Sequence, residues 1–252
     1  MKPIWAATRL YLLGSFRQQV HLCTLFLGVL LFLLPAYINA FSLGMDAFVK
    51  VTTDFGLTLI GYFLLGLGVL LGATWLPEEI ETRRLYPLLA RSISRSGLLL
   101  SQVLALLLVL GGSGLLLGSC LALSLGAMTR EFDLWIFQGV LGSFLQAATI
   151  SALCLACSVR LGSAISAALG LTVFVVGSMS SDLFALLLGS AGGALAFFKV
   201  LLPDLSALAL KDSAVEKLPL AGSQVTLLLT YSLGWTALFL HLAKLQFEEI
   251  DL

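Results

Sequence analysis

Between Gly97 and Met128 the chain runs for 32 residues without a charged side chain, and no other feature narrows its possible folds so far. Soluble domains build their cores from amphipathic helices and short strands, which leave no place for such a run. It belongs in a membrane. Hydrocarbon supplies no hydrogen-bond partners, so every backbone N–H and C=O must be satisfied within the segment, which makes it a helix. At 1.5 Å per residue that helix is about 48 Å long, against about 30 Å of hydrocarbon. Tilt, projection beyond the bilayer or a break near Gly111 and Gly112 must absorb the excess, and projection with a kink at the glycines is the expectation.

The whole chain follows suit. Of its 252 residues 59% are hydrophobic and 11% charged, with a mean hydropathy of +1.04, values that place it among integral membrane proteins. Apolar runs of spanning length predict six transmembrane helices, near 20–39, 55–76, 97–126, 135–158, 161–180 and 223–243. The expected fold is therefore an all-α integral membrane protein, with residues 1–252 forming a single transmembrane domain. Arg9 and Arg17 interrupt residues 1–19, so a secretory leader is not expected there. Trp5, Leu12 and Phe16 would share one side of a helix over this stretch. It reads either as an amphipathic helix at the membrane interface or as an ordinary basic flank of the first span.

Lysine and arginine concentrate in cytoplasmic loops. Threaded through six spans, nine of the 14 basic residues fall on one side and five on the other, which puts both termini in the cytoplasm. On that side lies residues 77–96, PEEIETRRLYPLLARSISRS, where seven of twenty residues are Glu or Arg. Pro77 suits a first helical position, Glu78, Glu79 and Glu81 sit at the positive end of the helix dipole, and Arg83 and Arg84 follow. Glu79 and Arg83 form an i,i+4 pair, worth only about 0.2–0.5 kcal/mol. Pro87 should end this helix near Tyr86 and begin another, with Leu85, Leu88 and Leu89 toward the bundle. The segment reads as a docking surface, or as a solvated loop whose charges enforce topology. Across the membrane lies residues 181–222, within which 183–197 is short for a span and interrupted by Gly189, Gly192 and Gly193. A re-entrant or interfacial hairpin, bounded by Asp182 and Lys199, fits it better than a crossing.

The stretch EEIETRRLYPLLARSISRSGLLLSQVLAL resembles the segment joining the second and third membrane helices in permease subunits of type-2 ABC exporters. LLPDLSALALKD at 201–212 and FEEIDL at 247–252 are similar to the outward loop and acidic tail of the same family. Ser92 stands where that family usually has Pro, Glu81 and Thr82 where it has Gly-Thr, and Ser101 and Gln102 where it has Gly-Lys. The resemblance implies a non-enzymatic subunit of a transporter in the bacterial cytoplasmic membrane. A separate ABC ATPase would carry the ATP and Mg, and a second permease copy would complete the assembly. No cofactor is implied for this chain itself, and no nucleic acid. The resemblance also makes 77–96 a coupling helix seated on the ATPase, with Glu78, Glu79, Glu81, Arg83, Arg84, Leu88, Leu89 and Arg91 as contact residues. None of the six lysines follows a glycine, so the Gly-Lys core of a phosphate-binding loop is missing.

Other chemistry is sparse. Cys154 and Cys157 form a C-x-x-C inside an apolar span, where small packing residues are expected rather than a redox pair. His21 and His241 sit near span ends and supply too few ligands for a metal site. An ion-coupled secondary transporter would place acidic residues within its spans, and none of the six carries one centrally. That carrier, an intramembrane enzyme and a non-transport scaffold are the competing readings. Gly68 with Gly72 and Gly114 with Gly118 each have the G-x-x-x-G spacing that lets helices approach closely in lipid. Either pair could serve packing within the chain or the seam with a second copy. Thr58, Tyr62, Gln146, Thr149, Ser151, Thr172, Thr226 and Tyr231 could line a path or hydrogen-bond between helices.

Overall fold

The computed structural model describes residues 2–17, 19–40, 44–81, 95–130, 132–179 and 202–248. The described residues are helical throughout apart from their connections: α1 (Lys2–Arg17), α2 (Val20–Asn39), α3 (Met45–Glu81), α4 (Arg95–Thr129), α5 (Trp135–Ser158), α6 (Ser163–Ser178), α7 (Lys211–Val215) and α8 (Gly222–Glu248). Five of them, α2, α3, α4, α5 and α8, are long and apolar enough to cross a membrane. The sixth predicted span corresponds to α6, whose 16 residues make about 24 Å of helix, short of the hydrocarbon thickness. Its start is set by Gly162, which takes an extended conformation as N-cap and cuts two residues from the apolar run.

Helix α5 is the hub. It packs on α3, α4, α6, α7 and α8, and 67% of its apolar window is buried, against 28% in α2 and 22% in α8. The large exposed leucines of α2 and α8 form the lipid-facing surface that a membrane bundle requires. Both G-x-x-x-G pairs are used inside the chain. A Cβ on Gly68 would lie 3.1 Å from the Ala147 carbonyl oxygen and one on Gly72 2.5 Å from that of Ser151, so these glycines let α3 and α5 meet backbone to backbone. Gly114 and Gly118 receive Val140 of α5 in the same way, with Leu64 and Phe137 alongside. Both pairs thus serve packing within the chain.

An expectation about α3 is corrected. Pro77 does not open a new helix; it lies within α3, which continues to Glu81. A proline there forfeits the bond to the carbonyl of Ala73, but Trp75 and Leu76 beside it are buried in the core and hold the turn in place. At its other end α3 begins at Met45, ten residues before the apolar run, with Asp46 at the favoured N-terminal end of the dipole. From Phe55 to Pro77 it carries no charge over 23 residues, about 34 Å of helix, so Asp54 and Glu78 mark the two membrane boundaries. Helix α4 runs unbroken through Gly111 and Gly112. Its 35 residues make about 52 Å, accommodated by tilt or projection and not by a break.

Helix α1 joins α2 through Gln19, which adopts a left-handed conformation with φ of 60°. It lies against α4 by Ala7, Thr8, Tyr11 and Ser15, all buried and spaced at helical period. Trp5 is 64% exposed while Leu12 is partly buried against the core. Of the side expected to meet the interface, Trp5 is therefore exposed while Leu12 is turned partly to the core; the side chain of Phe16 lies outside the described residues. Trp5, Leu10 and Leu13 form an exposed apolar surface, as an interfacial helix would present to lipid.

Candidate functional site

Polar groups collect at both ends of α3. At the end nearest residues 82–94, the Tyr11 hydroxyl donates to Glu79 Oε2 at 2.7 Å. Gln102 Nε2 on α4 lies 3.2 Å from the Tyr11 oxygen and 3.3 Å from Glu79 Oε2, completing a triangle across three helices. The Tyr11 ring stacks on Trp75 with centroids 5.6 Å apart, and Thr8 Oγ1 donates to the Ser101 carbonyl at 3.4 Å. Burial first, then the negative charge and hydrogen bond of Glu79, push the Tyr11 phenol well above its ordinary range. Kept neutral, it donates to Glu79 and accepts from Gln102, and so ties α1 to α3 and α4.

Of the residues expected to contact an ATPase, Glu79 thus turns into the bundle, Glu78 is exposed, and Glu81 is the last residue of α3. Arg83, Arg84, Leu88, Leu89 and Arg91 lie outside the described residues, as does the hairpin expected at 183–197. Gln102, met in the sequence as a departure from a usual Gly-Lys, proves to be part of the triangle. Tyr11 drew no attention, since nothing local links it to a residue 68 positions away.

At the other end residues 202–210, ahead of α7, thread into the bundle as irregular backbone. Pro203, Leu205, Leu208 and Leu210 are buried, which is tolerable at membrane depth only when the backbone finds partners in the protein. It does. Gln146 Nε2 donates to the Leu205 carbonyl at 2.8 Å, the Leu205 N–H to Gly177 at 3.2 Å, and the Asp204 N–H to the Tyr231 oxygen at 2.7 Å. Asp204 Oδ1 accepts from the Ser206 N–H and hydroxyl. Gly142 admits the segment: a Cβ there would sit 2.6 Å from the Leu208 carbonyl oxygen.

Helix α7 then brings Lys211 to Asp54, 2.9 Å away, and to the Thr58 hydroxyl at 3.3 Å. Lys217 pairs with Asp133 at 3.0 Å. Below the Lys211 pair a cleft of about 160 Å³ is lined by Thr58, Tyr62, Ser143, Gln146, Phe174 and Lys211, among others. Three of the eight polar residues singled out in the sequence, Thr58, Tyr62 and Gln146, meet here. The others serve helix contacts. Thr149 and Ser232 are 3.0 Å apart, Tyr231 holds Asp204, and Ser151, Thr172 and Thr226 bond back to carbonyls of their own helices. Ser143, Asp54 and Lys211 were not foreseen in this role. Among the described residues no group of three or more His, Cys, Asp or Glu could hold a metal ion, and the thiols of Cys154 and Cys157 are free.

The sequence matches no protein-family model, and no curated protein matches it.

Proposed function

We propose that the chain is the membrane-spanning permease subunit of an ATP-driven exporter in the bacterial cytoplasmic membrane, energised by a separate ABC ATPase that binds ATP and Mg and completed by a second permease copy. In this reading α6 with its flanking residues makes the sixth crossing, both termini face the cytoplasm, and residues 77–96 dock on the ATPase. The observation that supports it best is the Tyr11–Glu79–Gln102 triangle. A docking segment does work only if its displacement reaches the bundle, and here the helices on either side of it, α3 and α4, are bonded to each other and to α1 just where they meet it. The ion-coupled alternative needs an acidic group within a span, and the carboxylates of α3 lie at or beyond the ends of its uncharged run, Asp54 at one end and Glu78 and Glu79 at the other.

The test is Arg83→Glu with Arg84→Glu, assayed by co-purification with the ATPase encoded nearest to this chain. Loss of the ATPase, with the permease still folded, is expected. Unchanged co-purification and transport, or transport by the chain alone in liposomes without ATP, refutes the reading.

A further inference from the structure

The cleft under Lys211 has a chemistry of its own. At its rim Lys211 on α7 lines the cleft and pairs with Asp54 on α3 just beyond the lining; the two side chains are 38% and 45% exposed, so each has room for a further partner. Its walls carry hydroxyls and an amide, from Thr58, Tyr62, Ser143 and Gln146, set among the apolar side chains of Leu57, Leu210 and Phe174. Asp54 marks the boundary of the uncharged run of α3. The rim therefore lies at head-group level, and Tyr62, eight residues on, sits about 12 Å deeper. Tyr62 is 63% exposed, so the cleft opens sideways to the bilayer and not only to water. A cavity near 150 Å³ accommodates a six-membered ring, and 160 Å³ is room for a ligand of head-group size.

Charge selects among such ligands. An anion alone would gain Lys211 but lie against Asp54, and a cation alone would meet the reverse. A neutral polyol would use the walls and leave the rim without a purpose. A zwitterion exchanges one ion pair for two. A primary ammonium can also donate hydrogen bonds to Asp54, which a quaternary one cannot.

We propose that the cleft between α3, α5 and α7 binds the head group of an amine-bearing zwitterionic phospholipid, with its phosphate on Lys211, its ammonium on Asp54 and its acyl chains leaving past Tyr62. The assignment is independent of the transporter reading and holds for any function of the bundle.

Native mass spectrometry of the full chain, released from nanodiscs of equimolar phosphatidylethanolamine, phosphatidylcholine and phosphatidylglycerol, tests it. One retained phosphatidylethanolamine in preference to either other lipid is expected. Asp54→Asn should reduce that preference about tenfold, the worth of one charge-assisted hydrogen bond, and Lys211→Met should lower retention of phosphatidylethanolamine by a similar factor. Ser143→Leu leaves both charges in place and fills the cleft; it should abolish retention, and it decides the matter alone if the charge variants do not fold. Soluble phosphoethanolamine at the lipid's concentration should fail to displace it. Displacement would assign the cleft to a soluble zwitterion and overturn the lipid assignment. Retention unchanged in Ser143→Leu, or phosphatidylglycerol held as well as phosphatidylethanolamine, would overturn the proposal.

Discussion

Replacing Tyr11 by Phe removes one oxygen from the triangle and leaves the ring stacked on Trp75 at its 5.6 Å spacing. What is lost is the 2.7 Å bond to Glu79 and the acceptor for Gln102; Gln102 keeps its 3.3 Å approach to the carboxylate. Hydrogen bonds to charged groups contribute about 1.5–3 kcal/mol. Because Glu79 is only half-buried, water can partly replace the phenol, and a loss of about 1–2 kcal/mol is expected, a fall in midpoint of roughly 2–8 °C for a chain of this size. Thermal unfolding in mild detergent measures it, and a double-mutant cycle with Glu79→Gln isolates the pair. The same variant has a pH signature. The folded state holds the phenol proton above the ordinary range, while the unfolded chain releases it near pH 10. The contribution is thus fully present below about pH 10 and shrinks as pH rises further, a slope that Tyr11→Phe should remove. A midpoint within error of the parent, additive effects in the cycle, or the same alkaline slope in both proteins would refute the argument.

Two further substitutions address packing and the threaded segment. Gly72→Ala drives a Cβ to 2.5 Å from a backbone oxygen, which cannot swing aside, and should cost about 1–3 kcal/mol; Gly66→Ala, with nothing within 4 Å, should be neutral or stabilising by up to about 1 kcal/mol. Equal midpoints for the two variants in thermal unfolding would contradict the assigned α3–α5 seam. Gln146→Leu removes the donor to the Leu205 carbonyl and should destabilise by about 1–3 kcal/mol while speeding deuterium exchange at the Leu205 amide. No change in either quantity would mean that the segment is held by other contacts.

Hydropathy reads where a chain meets lipid, and it located α2 and α5 to the residue. Helix ends are a different matter. Asp46, Lys50 and Asp54 look like loop charges, yet they ride on three further turns of α3 that project beyond the hydrocarbon. Pro77 looks like a helix start, and only the buried Trp75 and Leu76 explain why the helix passes through it. The glycine spacing signalled close approach correctly but carried no address, since the identity of the neighbour depends on how α5 is placed. The cleft was half visible: Thr58, Tyr62 and Gln146 stood out as polar residues in apolar runs. Their convergence depends on Lys211 returning to Thr58 across 153 residues, a distance over which no local pattern speaks.

Glu79 and Asp54 stand 25 residues apart on α3, about 37 Å of continuous helix. Each is bound to a different neighbour, Glu79 to α1 and α4 and Asp54 to α7. Between them Gly68 and Gly72 bring α3 against the backbone of α5. A rotation of α3 by about 3° about its Glu79 end moves Asp54 by about 2 Å, enough to carry a 2.9 Å pair beyond the reach of an ion pair, about 4 Å. If residues 82–94 dock as proposed, motion introduced there is expected to travel along this lever to the half-exposed pair at the far end. Lipid retention in Tyr11→Phe therefore reports on this connection: if loosening the triangle leaves the preference for phosphatidylethanolamine untouched, the two ends of α3 act independently and the lever does not operate.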